Sequence, residues 1–160
     1  MKKWLLFAVA VLCVFAVDGM PFGKTDVGKL RPVQVLCVAV SASGVEFTTD
    51  TGDAGTGATV SEALENMKAT SRGTIFLETA EFLLLMDGAE SLIPELCDVL
   101  RPGCGVCKVA EMPDLGDAAL FLSAHRPEIS VNDVRSAGAV TEYLELVDGR
   151  MVLVEAGGKR

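Results

Sequence analysis

The sequence predicts an α+β domain with a mixed β-sheet, in which the elements follow the order β-β-α-β-α-β-α and a β-hairpin ends the chain. Three observations lead to this prediction. An apolar run rich in β-branched residues surrounds residue 36, stripes of helical spacing alternate with short apolar runs between residues 60 and 125, and an Asp-Gly pair separates two apolar runs near the end. Helices and strands that alternate in this way pack as layers around one core.

The N-terminus has the pattern of an export signal. Lys2 and Lys3 precede fourteen apolar residues, Trp4 to Val17, as in the basic and apolar regions of a signal peptide. Fourteen residues are short for a membrane-spanning helix, which needs about 20. We therefore predict that residues 1–20 are a signal peptide or an N-terminal membrane anchor. The rest of the chain would then be extracytoplasmic, either secreted or anchored to the cytoplasmic membrane. The bulky Leu12 before Cys13 argues against lipid attachment there.

The composition limits the range of partners. The net charge is −8, and removal of residues 1–20 leaves −9. An acidic surface repels phosphate backbones, so we expect no nucleic-acid partner. Half of the residues are apolar, and the remaining length is enough for one domain with its own core. We divide it into a main domain at residues 24–127 and a polar segment with a hairpin at residues 128–160.

The first half of this region predicts a hairpin followed by a helix. Apart from Gln34, residues 33–40 are apolar, so both faces of this segment carry apolar side chains. This pattern is typical of a strand that is buried on two faces. After a turn at residues 41–44, Val45, Phe47 and Thr49 alternate with polar residues and predict a strand with one wet face. Residues 50–58 contain three glycines and predict a loop. Thr59 and Glu62 form a capping box that begins a helix, which ends at residues 71–73.

The second half alternates strands and helices. A short segment at residues 75–77 and a strand at residues 82–86 lead to a helical stripe that ends at residues 101–103; the stripe consists of Leu92, Ile93, Leu96, Val99 and Leu100. We then predict a strand at residues 106–112 and a helix that begins at Pro113-Asp114 and ends at His125. Asp148-Gly149 between two apolar runs is a strong hairpin signal.

Cys104 and Cys107 form a Cys-x-x-Cys pair, which is a candidate disulfide or redox pair. In thioredoxin-like proteins this pair follows a strand and begins a helix, whose N-terminus lowers the pKa of the first thiol. Here the order is reversed, because the pair follows a predicted helix and leads into a strand. A zinc site commonly needs four ligands, and the chain has one histidine. We interpret the pair as a structural turn, with no metal and no cofactor, and Cys37 and Cys97 as small buried hydrophobic residues.

Other motifs give weaker signals for chemistry. Asp50-Thr51-Gly52 matches the aspartic protease tripeptide, but that chemistry requires two carboxylates and the chain has a single copy. The glycines at 52, 55 and 57 lack the lysine and the spacing of a phosphate-binding loop. His125 is interpreted as a residue at a helix end, and Glu78 and Glu81 as surface residues. We therefore predict no catalytic residue, and the motifs do not indicate which residues bind a ligand.

The order of these segments resembles the N-terminal domain of the C-subunit lipoproteins of bacterial spore germinant receptors. The resemblance covers residues 24 to about 127 and includes "TDVGKL", the hairpin, "GATVSEALENM" and "GTIFLETAEFLLLMDGAESLIPELCDVLRP". The chain is also similar to small exported proteins of spore-forming gut bacteria. Members of the family are lipid-anchored and carry further domains, whereas this chain lacks the small residue expected before Cys13 and ends at Arg160. The resemblance implies a stand-alone relative of the first domain, without catalytic residues.

These observations lead to one main functional hypothesis and two alternatives. The main hypothesis is a non-enzymatic, exported or membrane-tethered envelope domain that binds a protein or a small ligand during sporulation or spore germination. Its partners would be envelope or spore membrane proteins, and residues 1–20 would associate with the membrane if they are not cleaved. The first alternative is an envelope thiol-disulfide protein that uses Cys104 and Cys107. The second is a small aspartyl hydrolase that uses Asp50.

Overall fold

The computed structural model describes residues 29–137 and 139–155. The strands are β1 (Leu30–Pro32), β2 (Val35–Ser41), β3 (Gly44–Thr49), β4 (Ala54–Gly57), β5 (Thr74–Phe76), β6 (Phe82–Met86), β7 (Gly105–Val109), β8 (Glu142–Val147) and β9 (Arg150–Glu155). The α-helices are α1 (Val60–Thr70), α2 (Ile93–Leu96), α3 (Leu115–Ala124) and α4 (Val131–Ala137), and two 3₁₀ turns cover Leu77–Thr79 and Ala89–Leu92. The predicted signal or anchor at residues 1–20 and Cys13 lie outside the described residues.

Seven strands form one mixed sheet in the order β4-β3-β2-β6-β7-β8-β9. The central strands β2, β6, β7 and β8 are parallel, and an antiparallel segment flanks them on each side. Strands β1 and β5 form a separate small parallel pair. The predicted α+β class, the mixed sheet and the C-terminal hairpin are therefore confirmed. Because β8 pairs with β7, the hairpin continues the sheet built by residues before 127.

Both faces of the sheet are covered, which explains why β2 is apolar at successive positions. Leu36 and Val38 pack into one core beneath α1, α2 and α4, and Val35 and Cys37 pack into a second core beneath α3. We call these sides the α1 face and the α3 face. Among the described residues, one helix, α3, covers the α3 face, with Leu115, Ala118, Ala119 and Leu122 buried. Such two-sided burial is typical of parallel strands.

Local sequence signals place most elements where they were predicted. Thr59 caps α1, because its side chain accepts the amide of Glu62 at 3.2 Å. The reciprocal bond of the predicted capping box differs by one residue, since the Glu62 carboxylate accepts the amide of Ala58 at 2.9 Å. Asp114 caps α3, and His125 ends it, as predicted. The helix predicted around residues 92–100 is shorter than expected, with one α-helical turn at Ile93–Leu96 after a 3₁₀ turn.

Two predictions were wrong, and one helix was not predicted. Residues 54–57, predicted as part of a loop, form β4 and pair with β3. Residues 131–137 lie in the predicted polar segment and form α4, because Val131 and Val134 supply a short buried stripe among polar residues. The strand predicted to extend to residue 112 ends at Val109. Within the part of the chain that the structure describes, no helix combines the length and the apolar character needed to cross a bilayer.

Candidate functional site

Cys104 and Cys107 lie on opposite faces of the sheet. Cys104 precedes β7 and packs into the core on the α1 face, whereas Cys107 lies within β7 and packs into the core on the α3 face. Both are buried free thiols. Side chains that point to opposite sides of a strand cannot bring their sulfur atoms together unless the backbone moves. The geometry therefore does not favour a disulfide between them.

The environment of both thiols also suppresses their reactivity. Burial raises the pKa of Cys104 and of Cys107 to about 12 each, from an ordinary value of 9.0. Arg101 and Arg126 oppose this rise in the pKa of Cys104, but the desolvation is larger. Redox and catalytic cysteines need a lowered pKa, because the thiolate is the nucleophile. Among the described residues no group of three or more His, Cys, Asp or Glu side chains could hold a metal ion.

Asp50 and Asp53 hold the turn between β3 and β4. The Asp50 carboxylate accepts the amides of Gln34 and Val35 at 3.1 and 3.2 Å and so ties this turn to the start of β2. Asp53 is buried, forms a 2.9 Å ion pair with Arg31 and accepts the Thr51 hydroxyl at 2.8 Å. Each carboxylate thus has its own structural partners. This arrangement differs from the shared proton between two carboxylates that aspartyl hydrolysis uses.

The glycines at 52, 55 and 57 have conformational and packing roles. Gly52 adopts φ +79° in the turn after β3, a left-handed conformation that favours glycine. Gly55 and Gly57 lie in β4 directly beneath α1. A Cβ atom at Gly55 would lie 2.4 Å from the Ala63 carbonyl oxygen, and one at Gly57 would lie 2.5 Å from the Ala63 amide nitrogen. The glycines allow the helix backbone to touch the strand.

A concave site lies beyond the carboxyl end of β7, beside the second half of β8. Its volume is about 530 Å³, and it is lined by Ala110, Glu111, Met112, Pro113, Asp114, Leu144, Glu145 and Leu146. In sheets with parallel strands, ligands bind in crevices at the carboxyl ends of the strands. Because β7 and β8 are parallel and adjacent, the cleft occupies such a position.

The cleft combines an apolar floor with an acidic rim. Leu144 is buried at its base, while Met112 and Leu146 expose 43% and 64% of their surface. Three acidic residues, Glu111, Asp114 and Glu145, are among the eight lining residues, and none of the eight is basic. One carboxylate, that of Asp114, also accepts the Asp117 amide at 2.9 Å as the cap of α3. The site is therefore suited to a group that is apolar along its length and positively charged at its end.

The lysine of β7, Lys108, forms its ion pair with a residue outside the cleft. Lys108 forms a 2.5 Å ion pair with Glu90 and lies 5.5 Å from the centre of the Tyr143 ring. The hydrogen bond between them raises the pKa of Lys108 and lowers that of Glu90. Lys108 is thus held as a cation beside Glu90, which leaves the cleft carboxylates available to an outside cation.

A second, smaller groove lies between α1 and α2. Its volume is about 330 Å³, with Val60, Leu64 and Val99 at its base and Glu65, Glu95, Asp98 and Lys68 around it. Here the lysine lies within the groove among the acidic residues. The groove also lies away from the strand ends, so we regard the cleft at β7 and β8 as the candidate site.

Sequence reasoning missed this cleft because it extended β7 through Met112. In a strand of that length, Glu111 and Met112 would be ordinary strand positions. Pro113 gave a usable signal, because proline cannot donate a hydrogen bond to a strand ladder and a helix cap follows directly at Asp114. That signal places Glu111 and Met112 in the connection after a parallel strand, where binding sites commonly lie.

Glu81 and His125, which were also singled out in the sequence, have structural partners. Glu81 pairs with Arg126 at 3.0 Å and with Arg101 at 3.8 Å. His125 stacks on Phe121, with ring centroids 4.6 Å apart, at the end of α3. These contacts join the amino ends of β6 and β7 to the carboxyl end of α3, at the end of the strands opposite to the cleft.

No family model, no curated protein and no solved structure matches the chain. The interpretation of the cleft therefore depends on its geometry and chemistry.

Proposed function

We propose that the chain is a non-enzymatic binding domain of the bacterial envelope, whose cleft at the ends of β7 and β8 holds an apolar group with a positive charge. The observation that carries this proposal is the combination of a buried Leu144, the exposed Met112 and Leu146, and acidic lining residues without a lysine or arginine. The group would belong to a partner protein or to a small amphipathic amine.

The energetics of the cleft favour such a group over a simple cation. A solvent-exposed ion pair contributes only about 0.2–1 kcal/mol. Burial of apolar surface contributes about 25 cal/mol per Å², so the contacts with Met112, Leu144 and Leu146 would supply most of the affinity. The carboxylates would then select for a positive end. Lysine and arginine side chains have this character, because an aliphatic stem carries a charged head.

The resemblance to the germinant-receptor domain supports a place in the envelope of spore-forming bacteria. The hairpin β2-β3, the Thr59-capped α1, the two apolar segments β5 and β6 and the helix before β7 follow the order that the resemblance implies. The export pattern of residues 1–20 supports delivery to the external side of the membrane. We therefore propose a role in sporulation or in spore germination.

Methyl NMR of the full chain tests the binding chemistry. With ¹³C-methyl methionine, the Met112 signal, assigned through Met112→Leu, reports on the cleft. Hexylammonium should shift this signal at lower concentration than hexanol, and hexanoate should have the weakest effect. Glu111→Gln should weaken hexylammonium binding, because Glu111 lies beside Met112 in the lining, while the exposed control Glu78→Gln should not. Equal binding of the three probes, or no shift of Met112, would contradict the proposed chemistry.

A genetic experiment tests the biological role. Spores from a strain that lacks the chain are compared with parental spores for yield and for nutrient-triggered loss of refractility. We expect a delayed loss of refractility, a lower spore yield, or both. Complementation with Glu111→Gln should restore less function than complementation with Glu78→Gln. Normal yield and normal kinetics would contradict a role in sporulation or germination and would leave the binding chemistry to be tested by NMR.

A further inference from the structure

The outer edge of β9 has the features of an unused pairing surface. Strand β9 is the last strand of the sheet, and within residues 29–137 and 139–155 no strand pairs with its outer side. Natural proteins protect exposed edges with proline, with lysine, with very short strands or with a covering element. Strand β9 is six residues long and reads Arg-Met-Val-Leu-Val-Glu, without proline or lysine.

We propose that two copies of the chain associate through antiparallel pairing of their β9 strands, which would join the two sheets. This inference is independent of the proposed ligand. An isologous contact of this kind uses the same surface on both copies and closes with two-fold symmetry. Backbone hydrogen bonds along the paired strands would provide the common contact, as in other cases of strand addition.

The turn before β9 determines which backbone groups face outward. Asp148 and Gly149 have φ values of +50° and +73°, the pattern of a type I′ turn that closes with a hydrogen bond between Val147 and Arg150. Because hydrogen-bonded and non-hydrogen-bonded pairs alternate along an antiparallel ladder, the pairs at Val152 and Val154 also bond to β8. The outward amides and carbonyls therefore belong to Met151, Leu153 and Glu155.

One symmetric register uses all three outward-facing residues. With Leu153 opposite Leu153 of the second copy, Met151 lies opposite Glu155, and Val152 lies opposite Val154. Side chains that face each other then project from the same side of the joined sheet, as an antiparallel pair requires. The register also places apolar side chains opposite each other on both faces, at Leu153 on one and at Val152 and Val154 on the other.

Charge and exposed apolar surface both favour this pairing. The strand begins with Arg150 and ends with Glu155, so an antiparallel partner brings the basic end of one strand near the acidic end of the other, with the two side chains on opposite faces of the joined sheet. A parallel partner would place like charges together. Leu146, Val147 and Val152 expose 64%, 48% and 39% of their surface, so exposed apolar residues concentrate in this hairpin. Pairing would remove part of this surface from water.

A charge-swap experiment tests both the association and its register. The full chain is kept in detergent, and its mass is determined by light scattering after subtraction of the detergent. We expect the unmodified chain to be a dimer. The double variants V152K/V154K and V152E/V154E each place two like-charged pairs across the interface, which should raise the dimer dissociation constant by about tenfold or more. Mixing them should restore the dimer, because each introduced lysine then faces an introduced glutamate.

Two controls keep the proposal falsifiable. The near-isosteric V152T/V154T should remain dimeric. Leu153→Pro should dissociate the dimer but leave the circular dichroism of the protein unchanged, because the Leu153 amide donates no hydrogen bond to β8. A monomeric unmodified chain at 100 μM protein, well above a dissociation constant of about 10 μM, would overturn the proposal. Charged variants that both remain dimeric, or a mixture that stays monomeric, would overturn the proposed contact or its register.

Discussion

The two edges of the sheet are built in opposite ways. At the edge formed by β4, the strand is four residues long, and α1 lies against it. Side chains of α1 reach its outer carbonyls: Asn66 donates to Thr56 O at 2.8 Å and Thr70 donates to Ala54 O at 3.3 Å. At the edge formed by β9, a longer strand ends the sheet without such cover from any described residue. We call them the closed edge and the open edge.

The difference shows how the same sheet can limit pairing on one side and permit it on the other. At the closed edge, glycines bring the helix so near that its polar side chains satisfy the outer carbonyls of the strand. At the open edge, apolar side chains project from both faces of β9, which is long enough to pair with another strand. Unpaired backbone groups on such a strand form a template for another strand. The predictions that follow test each edge in turn.

The largest expected effect is at the closed edge. Gly55→Ala places a Cβ atom 2.4 Å from the Ala63 carbonyl oxygen and 2.5 Å from the Met67 amide nitrogen. Both are backbone atoms, so α1 has to move away from β4, and we expect the free energy of unfolding to fall by about 3 kcal/mol. Denaturant unfolding measures this loss. Gly103→Ala is the matched control, because nothing lies within 4 Å of its Cβ position; equal stability of the two variants would contradict the packing role of Gly55.

The closed edge also shows what the sequence could and could not predict. The apolar pattern of β2 and the capping residue Thr59 each act locally, so the central strand and the start of α1 were predictable. Strand β4 was not, because Ala-Gly-Thr-Gly has low strand propensity and is ordered by contact with α1. The cleft was missed for a related reason. The cleft forms beyond the end of β7 and beside β8. The pairing of these two strands joins residues that are far apart in sequence.

The position of β9 at the open edge depends on the turn that precedes this strand. Gly149 has φ +73°, so Gly149→Ala should destabilise the protein by about 1–2 kcal/mol, the cost of a left-handed conformation for a residue with a Cβ atom. Gly149→Asn should cost less, because asparagine tolerates this conformation. Thermal unfolding of both variants measures the difference. If Gly149→Ala and Gly149→Asn are equally stable, the turn does not constrain β9 as the structure implies.

A smaller effect is expected from the side chain that caps the closed edge. Asn66→Asp keeps the shape of the side chain and a similar helix propensity, but it replaces the amide donor to Thr56 O with an acceptor. Because Asn66 is exposed, we expect a loss of about 1 kcal/mol at neutral pH. The difference should narrow near pH 3, where the introduced carboxyl is protonated and can donate. A difference that does not change with pH would indicate that this hydrogen bond does not hold the edge.

Two buried thiols allow the edges to be compared within one molecule. Cys37 on β2 lies in the third strand from the closed edge, and Cys107 on β7 lies in the third strand from the open edge. Burial raises the pKa of Cys37 to about 11 and that of Cys107 to about 12. Because the folded state favours the neutral thiols, their contribution to stability is present below pH 9 and is lost as the pH rises towards 12. At pH 8 both should react with an alkylating reagent only after local opening.

The rates of alkylation should then report the opening of each edge. Both thiols lie in the core beneath α3, so the difference between them comes from the nearer edge of the sheet. We expect Cys107 to be labelled several-fold faster than Cys37, because the hairpin β8-β9 on its side has less cover than the strands β3 and β4 next to Cys37. Peptide mapping by mass spectrometry measures both rates, and the partly exposed Cys97 serves as a fast reference. If β9 pairs with a second copy, a higher protein concentration should slow the labelling of Cys107 and leave that of Cys37 unchanged. Faster labelling of Cys37 would mean that the edge under α1 opens first and would reverse the comparison.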